Sequence, residues 1–321
     1  MKLWLLLGAA ALGFAADPSA PFQAGDGGYE VFRIPGLIVT KKGTLLAYAE
    51  ARASRRGDWG KIDLVMRRST DGGRSWEPLR KVADVPGSKE KNPVALAQGL
   101  AVPGEVTYNN PVAIADQRRG RVHFLFCLEY RRAFTMRSDD DGLSFSQPVE
   151  ITSAFEGFRA VYPDWRVLAI GPGHGIQLRN GRLLASVWLS TGSGGHAHRP
   201  SVAATIFSDD AGQSWHAGEI VIPNHADFIN PSEATLAQLP DGRVLFNGRT
   251  EAKQRRRTIA TSPDGARHWT APRFAESLPD PVCFGSLLAL RRGWLAFVNP
   301  ASTNRRENLT IRFSQDGGQT W

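Results

Sequence analysis

The side chains able to do chemistry gather in a few short segments. Phe32-Arg33-Ile34-Pro35-Gly36 sets one arginine in an otherwise apolar run, where an unpaired charge is costly. Residues 47–60, AYAEARASRRGDWG, carry Arg52 and, six residues on, Asp58 in a Gly-flanked, loop-like stretch. Asn110 lies in NNPVAIAD, residues 109–116. Glu233 and Arg249 stand sixteen residues apart across an LPDGR turn, and Arg306 lies in residues 299–314, NPASTNRRENLTIRFS. Arginine stays ionised, and its planar fork meets carboxylates with charge-assisted, often bidentate bonds. Aspartate and glutamate can pass a proton to or from a reacting group. Each residue alone also fits a plainer role. Asp58 could be a solvated loop carboxylate, Glu233 a strand-edge carboxylate, and the arginines surface charges with buried stems.

Other chemistries find less support. The two cysteines, Cys127 and Cys283, lie in apolar strand-like runs and read as buried thiols, although one disulfide is possible in an exported protein. No Cys or His pair has zinc-ligand spacing, so no metal and no cofactor is expected. His196 and His198 fall in a Gly-rich loop and read as loop residues. A net charge of +8 could serve nucleic acid, an anionic surface or an anionic substrate. The arginine clusters (Arg55-Arg56, Arg131-Arg132, Arg255 to Arg257, Arg291-Arg292) form no single stripe, and no nucleic-acid motif accompanies them. Most of them read as solvated loop charges.

The elements that must hold these residues announce themselves as a repeat. An octad, Ser-x-Asp-x-Gly-x-x-aromatic, starts at Ser69, Ser138, Ser208, Ser262 and Ser314, with Ala266 replacing the Gly of the fourth copy. The intervals of 52 to 70 residues suit a four-stranded propeller blade with its loops. Ser and Asp side chains can satisfy turn backbone groups, Gly supplies positive φ, and the aromatic anchors the turn between strands. The octads are therefore structural. Between them, runs such as GTLLAYAEAR, GRVHFLFCL and GRLLASVWLS read as strands, each entered from a Gly turn. No long amphipathic helix is evident, and no linker divides the chain. At the N-terminus, Lys2 followed by the apolar run Leu3 to Leu12 and small residues near Ala15 reads as a signal peptide over residues 1–16. That predicts an exported protein, secreted or periplasmic, with residues 17–321 as one domain. No later stretch is apolar enough for a membrane span.

Taken in order, F-R-I-P, E-x-R…D, G-P-G-H (from Gly171), E…L-P-D-G-R…N-x-R and R-x-N-L-T, interleaved with the octads, resemble the exo-α-sialidases of bacteria and animals. The resemblance runs from Phe32 to Trp321. It implies a six-bladed β-propeller and sialylated glycans as partners. It implies a carboxylate clamp of Arg33, Arg249 and Arg306, and sugar contacts from Arg52 and Asn110. Asp58 becomes the general acid/base, and Glu233 the base that activates a tyrosine nucleophile, with retention through a tyrosyl-sugar intermediate.

The family's tyrosine is expected shortly after the fifth octad, where this sequence ends, so the resemblance predicts an incomplete last blade. The glutamate that orients the first arginine is expected there too. Phe284 departs from the glutamine common before Gly285-Ser286. Three other readings stay open: a sialic-acid-binding propeller without turnover, an enzyme for a related nonulosonic acid or for sialyl transfer, and a purely structural propeller. The last predicts no arginine triad.

Overall fold

In a computed structural model of the chain, which describes residues 20–55 and 57–321, each octad closes the third strand of a sheet. Ser69, Ser138, Ser208, Ser262 and Ser314 end strands Ile62–Ser69, Arg132–Ser138, Ser201–Ser208, Arg256–Ser262 and Leu309–Ser314. The expected signal peptide, residues 1–16, lies outside the described residues. In the first octad the Gly73 N–H donates to Ser69 Oγ (2.8 Å), which donates to Asp71 Oδ1 (2.7 Å). Asp71 also accepts from the N–H groups of Arg74 and Ser75. The aspartate thus stands in for the strand ladder that a turn lacks. The fourth and fifth octad residues take positive φ in four copies, Gly72 and Gly73 among them. In the fourth copy Ala266 does not. There the Gly265 N–H (φ +75°) donates to Ser262 Oγ instead, and the left-handed turn moves on to His268.

The sheets are built on antiparallel meanders, five among the described residues, and the short strand Gly173–His174 adds to the second in parallel. The first runs Val31–Val39, Leu45–Arg52, Ile62–Ser69, Arg80–Lys81. The second and third have extra short strands at their inner edges, the fourth has four strands and the fifth has three, Ser286–Ala289, Leu295–Pro300 and Leu309–Ser314. First strands of successive sheets touch one another, which arranges the sheets as propeller blades around an axis. The longest helix, Thr152–Ala160, is a 3₁₀ segment, and no described helix is long and apolar enough to cross a membrane.

Cores lie between neighbouring blades rather than inside one. Leu46, Tyr48 and Met66 of the first blade pack on Phe124 and Phe126 of the second. Leu125 and Cys127 on the opposite face of the second blade pack on Leu183 and Val187 of the third. Strands are therefore buried on both faces, which is why Leu183–Ser190 reads as a continuous apolar run and not an alternation. Tyr48 bolts the centre. Its buried hydroxyl donates to the Gly173 carbonyl (2.5 Å) and accepts from the Ala113 N–H (3.0 Å), and its ring fills the space that a side chain at Gly36 would need.

Octad hydrogen bonds hold Asp210 at about 2, below an ordinary aspartate near 3.9, against a burial contribution that pushes the other way. A carboxyl depressed in the folded state adds stability above its unfolded pKa and loses it as pH falls through the folded one. Asp210→Asn should therefore lower the melting temperature at neutral pH. Thermal melts of wild type and variant should converge as pH drops from about 4 towards 2.

Candidate active site

In a meander, the start of the first strand, the end of the second and the start of the third all fall at one end of the blade. Arg33 and Asn110 lie at starts of first strands, and Arg52 and Tyr130 lie at or just past ends of second ones. Asp58, His198 and Arg306 lie in loops between second and third strands. Glu233 precedes the first strand of the fourth blade (Ala234–Gln238), and Arg249 follows its second (Val244–Gly248). Chain topology alone thus gathers these residues. All seven that the sequence singled out, Arg33, Arg52, Asp58, Asn110, Glu233, Arg249 and Arg306, line one cavity of about 490 Å³.

Five arginines and three carboxylates line that cavity. Each carboxylate is taken by one arginine. Arg52 Nη1 meets Asp58 Oδ1 at 2.9 Å, Arg199 Nη2 meets Glu251 Oε1 at 2.8 Å, and Arg249 Nη1 bonds Glu233 Oε2. Arg33 and Arg306 remain. Among the described residues neither has an ion-pair partner. Arg306 Nη2 donates to the Val282 carbonyl at 3.1 Å.

Behind the lining sits Glu50, wholly buried two residues before Arg52 on the same strand face. Its Oε2 accepts from Arg52 Nε (2.9 Å) and Nη2 (2.5 Å), and its Oε1 accepts from the Asn110 N–H (2.9 Å). Burial raises the Glu50 carboxyl above its usual range, and Arg52 offsets part of that rise. One carboxylate therefore sets both an arginine of the first blade and an asparagine of the second, the latter held at φ +55°.

Asp58 keeps 42% of its side chain exposed. Desolvation in the cavity would raise its pKa. Arg52, then His198 and Arg33, outweigh it and bring Asp58 below the ordinary value. Ile34 beside Arg33 takes φ +44°, an unusual conformation for a β-branched residue, at a bulge between Arg33 and Gly36.

An aromatic wall forms the other side. The Tyr130 ring packs on Trp59 (4.7 Å between centroids), His198 (4.8 Å) and Trp188 (6.0 Å). Burial first, then Asp58 and Glu50, hold the Tyr130 phenol well above its ordinary pKa. His198 is not the plain loop residue that the sequence suggested. Burial drives its pKa down to about 4, which keeps the ring neutral at physiological pH. Both cysteines are free thiols. Cys127 is buried as expected, but Cys283 is half-buried and lies on the cavity wall beside Phe284. Arg257, grouped with surface charges in the sequence, is fully buried. The sequence did not single out Tyr130 and His198 of the lining, nor the buried Glu50 and Arg257 behind it. Glu50 alone left a signal, the i, i+2 spacing to Arg52.

Removing Glu50 would leave buried donors of Arg52 (Nε and Nη2) and the Asn110 N–H without their acceptor, with Asp58 as the remaining counter-charge of Arg52. Glu50→Ala should destabilise the fold by roughly 3–5 kcal/mol in denaturant titration, and adding Arg52→Met should recover a large part of that loss.

The BNR repeat-like domain model matches residues 43–321. Among curated relatives, a sialidase of Bacteroides fragilis is 29% identical over 93% of this chain and 55% of its own length. One from Micromonospora viridifaciens is 30% identical over 92% of this chain and 46% of its own. The chain thus spans about half the length of these relatives. Among solved structures, the Hadza microbial sialidase Hz136 superposes with a TM-score of 0.76 at 29% identity, covering 93% of this chain and 59% of that one. With a family model matched along most of its length and sialidases as its relatives, the chain belongs to the BNR repeat-like family as one of its sialidase-type members.

Proposed function

We propose that this chain is the catalytic propeller of an exo-α-sialidase that releases terminal sialic acid from glycoproteins, glycolipids or oligosaccharides. The observation that carries this reading is the pair of uncommitted arginines, Arg33 and Arg306, in a cavity that also holds Asp58 and Glu233. Sialic acid carries a carboxylate on its anomeric carbon. Arg33 and Arg306 would take it, with Arg249 as the third member of the clamp, already oriented by Glu233. Arg52 and Asn110 would meet ring substituents. Asp58 would protonate the leaving oxygen and later deprotonate water. Glu233 would accept the proton of a tyrosine nucleophile, giving retention through a tyrosyl-sugar intermediate. A neutral phenol suits attack beside a substrate carboxylate, where a second carboxylate would be repelled.

The tyrosine would come from a sixth blade, and the five described sheets leave room for that reading. Leu309, Ile311 and Phe313 alternate outward along the last strand of the fifth blade, exposed by 50% or more. Leu37 and Val39 on the first strand of the first blade are equally exposed. These are apolar faces of the kind that elsewhere in the molecule pack against a neighbouring blade. On the same reading residues 1–16 act as a signal peptide and the enzyme is exported.

One observation favours a second reading, a sialic-acid-binding module without turnover. Tyr130 is the one tyrosine lining the cavity among the described residues, and burial first, then Asp58 and Glu50, make its phenol harder to deprotonate than an ordinary tyrosine.

A fluorogenic sialoside assay separates the two, run on this chain and on one extended through a sixth blade carrying the tyrosine. Release by the extended chain, abolished by Asp58→Ala and weakened mainly in KM by Arg33→Ala, is expected. Sialic acid binding with no release from either chain would replace the enzyme by the binding module. Normal kinetics in either variant would remove the role given to that residue.

A further inference from the structure

Arg306 is exposed, on a loop, and holds one hydrogen bond, so something must aim it if it is to recognise an anion. Its only guanidinium partner among the described residues is the carbonyl of Val282. Val282 sits at φ +61°, a left-handed conformation that a β-branched residue adopts only when its surroundings impose it. Those surroundings are a buried ion pair that the proposed chemistry does not use.

Arg257 and Asp280 are both fully buried, and Arg257 Nη1 meets Asp280 Oδ2 at 3.1 Å. The same Nη1 donates to the Cys283 carbonyl at 2.8 Å. Asp280 Oδ1 accepts from the Cys283 N–H at 2.9 Å, and the Asp280 N–H donates to the Arg255 carbonyl at 2.9 Å. Both ends of the 280–283 turn are therefore fixed, with Val282 held between them. Arg257 is fixed in turn. Its Nε donates to Asn247 Oδ1 (2.6 Å), its Nη2 to the Asn247 carbonyl (3.0 Å), and its guanidinium lies 5.6 Å from the Phe297 ring centre. A packed apolar pair would cost less desolvation than this one. What an apolar pair could not do is grip the backbone at Cys283 and Asn247 together.

We propose that the Arg257–Asp280 pair is a positioning device for anion recognition: it holds the 280–283 turn so that the Val282 carbonyl aims Arg306 into the cavity. The pair touches no substrate. It links the core of the fourth blade to a recognition residue of the fifth. The inference that this aims a sialate clamp rests on the proposed function, whereas the aiming of Arg306 does not.

The test has two parts. The first uses the wild-type chain without ligand. Arginine side-chain NMR should show the Arg306 guanidinium ordered, its signals assigned by their loss in Arg306→Lys. Free motion like that of a surface arginine would overturn the proposal. The second is a double-mutant cycle on sialic acid binding, with thermal melts confirming folding. Asp280→Asn should weaken binding on the order of tenfold when Arg306 is present and hardly at all in Arg306→Ala. Arg257→Lys, which keeps the charge but not the backbone grip, should behave likewise. Equal losses in both backgrounds would reduce the pair to a stabilising element. Wild type that binds no sialic acid yet shows an ordered Arg306, loosened by Asp280→Asn, would sink the substrate and leave the positioning role standing.

Discussion

Asp58 with Arg52, Glu233 with Arg249 and Glu251 with Arg199 use up the carboxylates of the cavity, so the charges of Arg33 and Arg306 have nothing in the lining to cancel them. Two uncompensated guanidinium groups in one concave site repel each other and pay for partial desolvation. A fold tolerates that only where it is rigid enough to stop the arginines swinging to a carboxylate. The rigidity here is local and visible. Glu50 occupies two donors of Arg52 and the backbone of Asn110, and the Arg257–Asp280 pair grips the turn below Arg306. The lining keeps two unpaired guanidinium groups because a buried layer behind it has already satisfied its own charges.

Backbone strain collects in the same place. Ile34, Asn110, Tyr130 and Asn230 line the cavity at positive φ, and Val282 adjoins it. Left-handed residues elsewhere are mostly glycines or octad turns. A strained position persists only when its neighbours over-determine it. The neighbours here are blades packed on both faces and the Tyr48 hydroxyl, which ties the first blade to Gly173 and Ala113. The propeller thus serves the site less by its shape than by leaving these residues no relaxed alternative.

Much of this was legible in the sequence, for reasons that can be named. The octads mark blades because their turn chemistry is local. Ser, Asp and Gly do the same work wherever they recur, and even the Ala266 copy finds a variant of the turn. The lining residues were legible because motif order fixes which end of which strand they occupy. The supporting layer was not. Arg257 follows two other arginines, and nothing in a run of like charges says that one of them points into the core. His198 stood in a Gly-rich loop whose composition argues exposure, yet the loop folds back so that the ring packs on Trp59, Tyr130 and Trp188. Arg257 owes its burial to Asn247, Asp280 and Cys283, ten to 26 residues away, and His198 owes its burial partly to Trp59 and Tyr130 of other blades; neither set of contacts leaves a periodicity in the sequence.

If Asp58 is the general acid of the proposed reaction, its electrostatics tie recognition to proton transfer. Burial favours its neutral form, and the permanent charges of Arg52 and Arg33 tip the balance towards the carboxylate while the cavity is empty. A general acid must carry its proton, so the empty cavity holds Asp58 in the wrong state for protonating a leaving group. An anion bound at Arg33 cancels part of the field that keeps Asp58 ionised, and a sugar over the carboxyl removes water that solvates it. Both changes raise its proton affinity. By linkage the reverse also holds: protonated Asp58 should favour the anion as much as the anion favours the proton. On the proposed reading, a substrate without the carboxylate would lose more than a contact, because it would also leave the acid unprotonated.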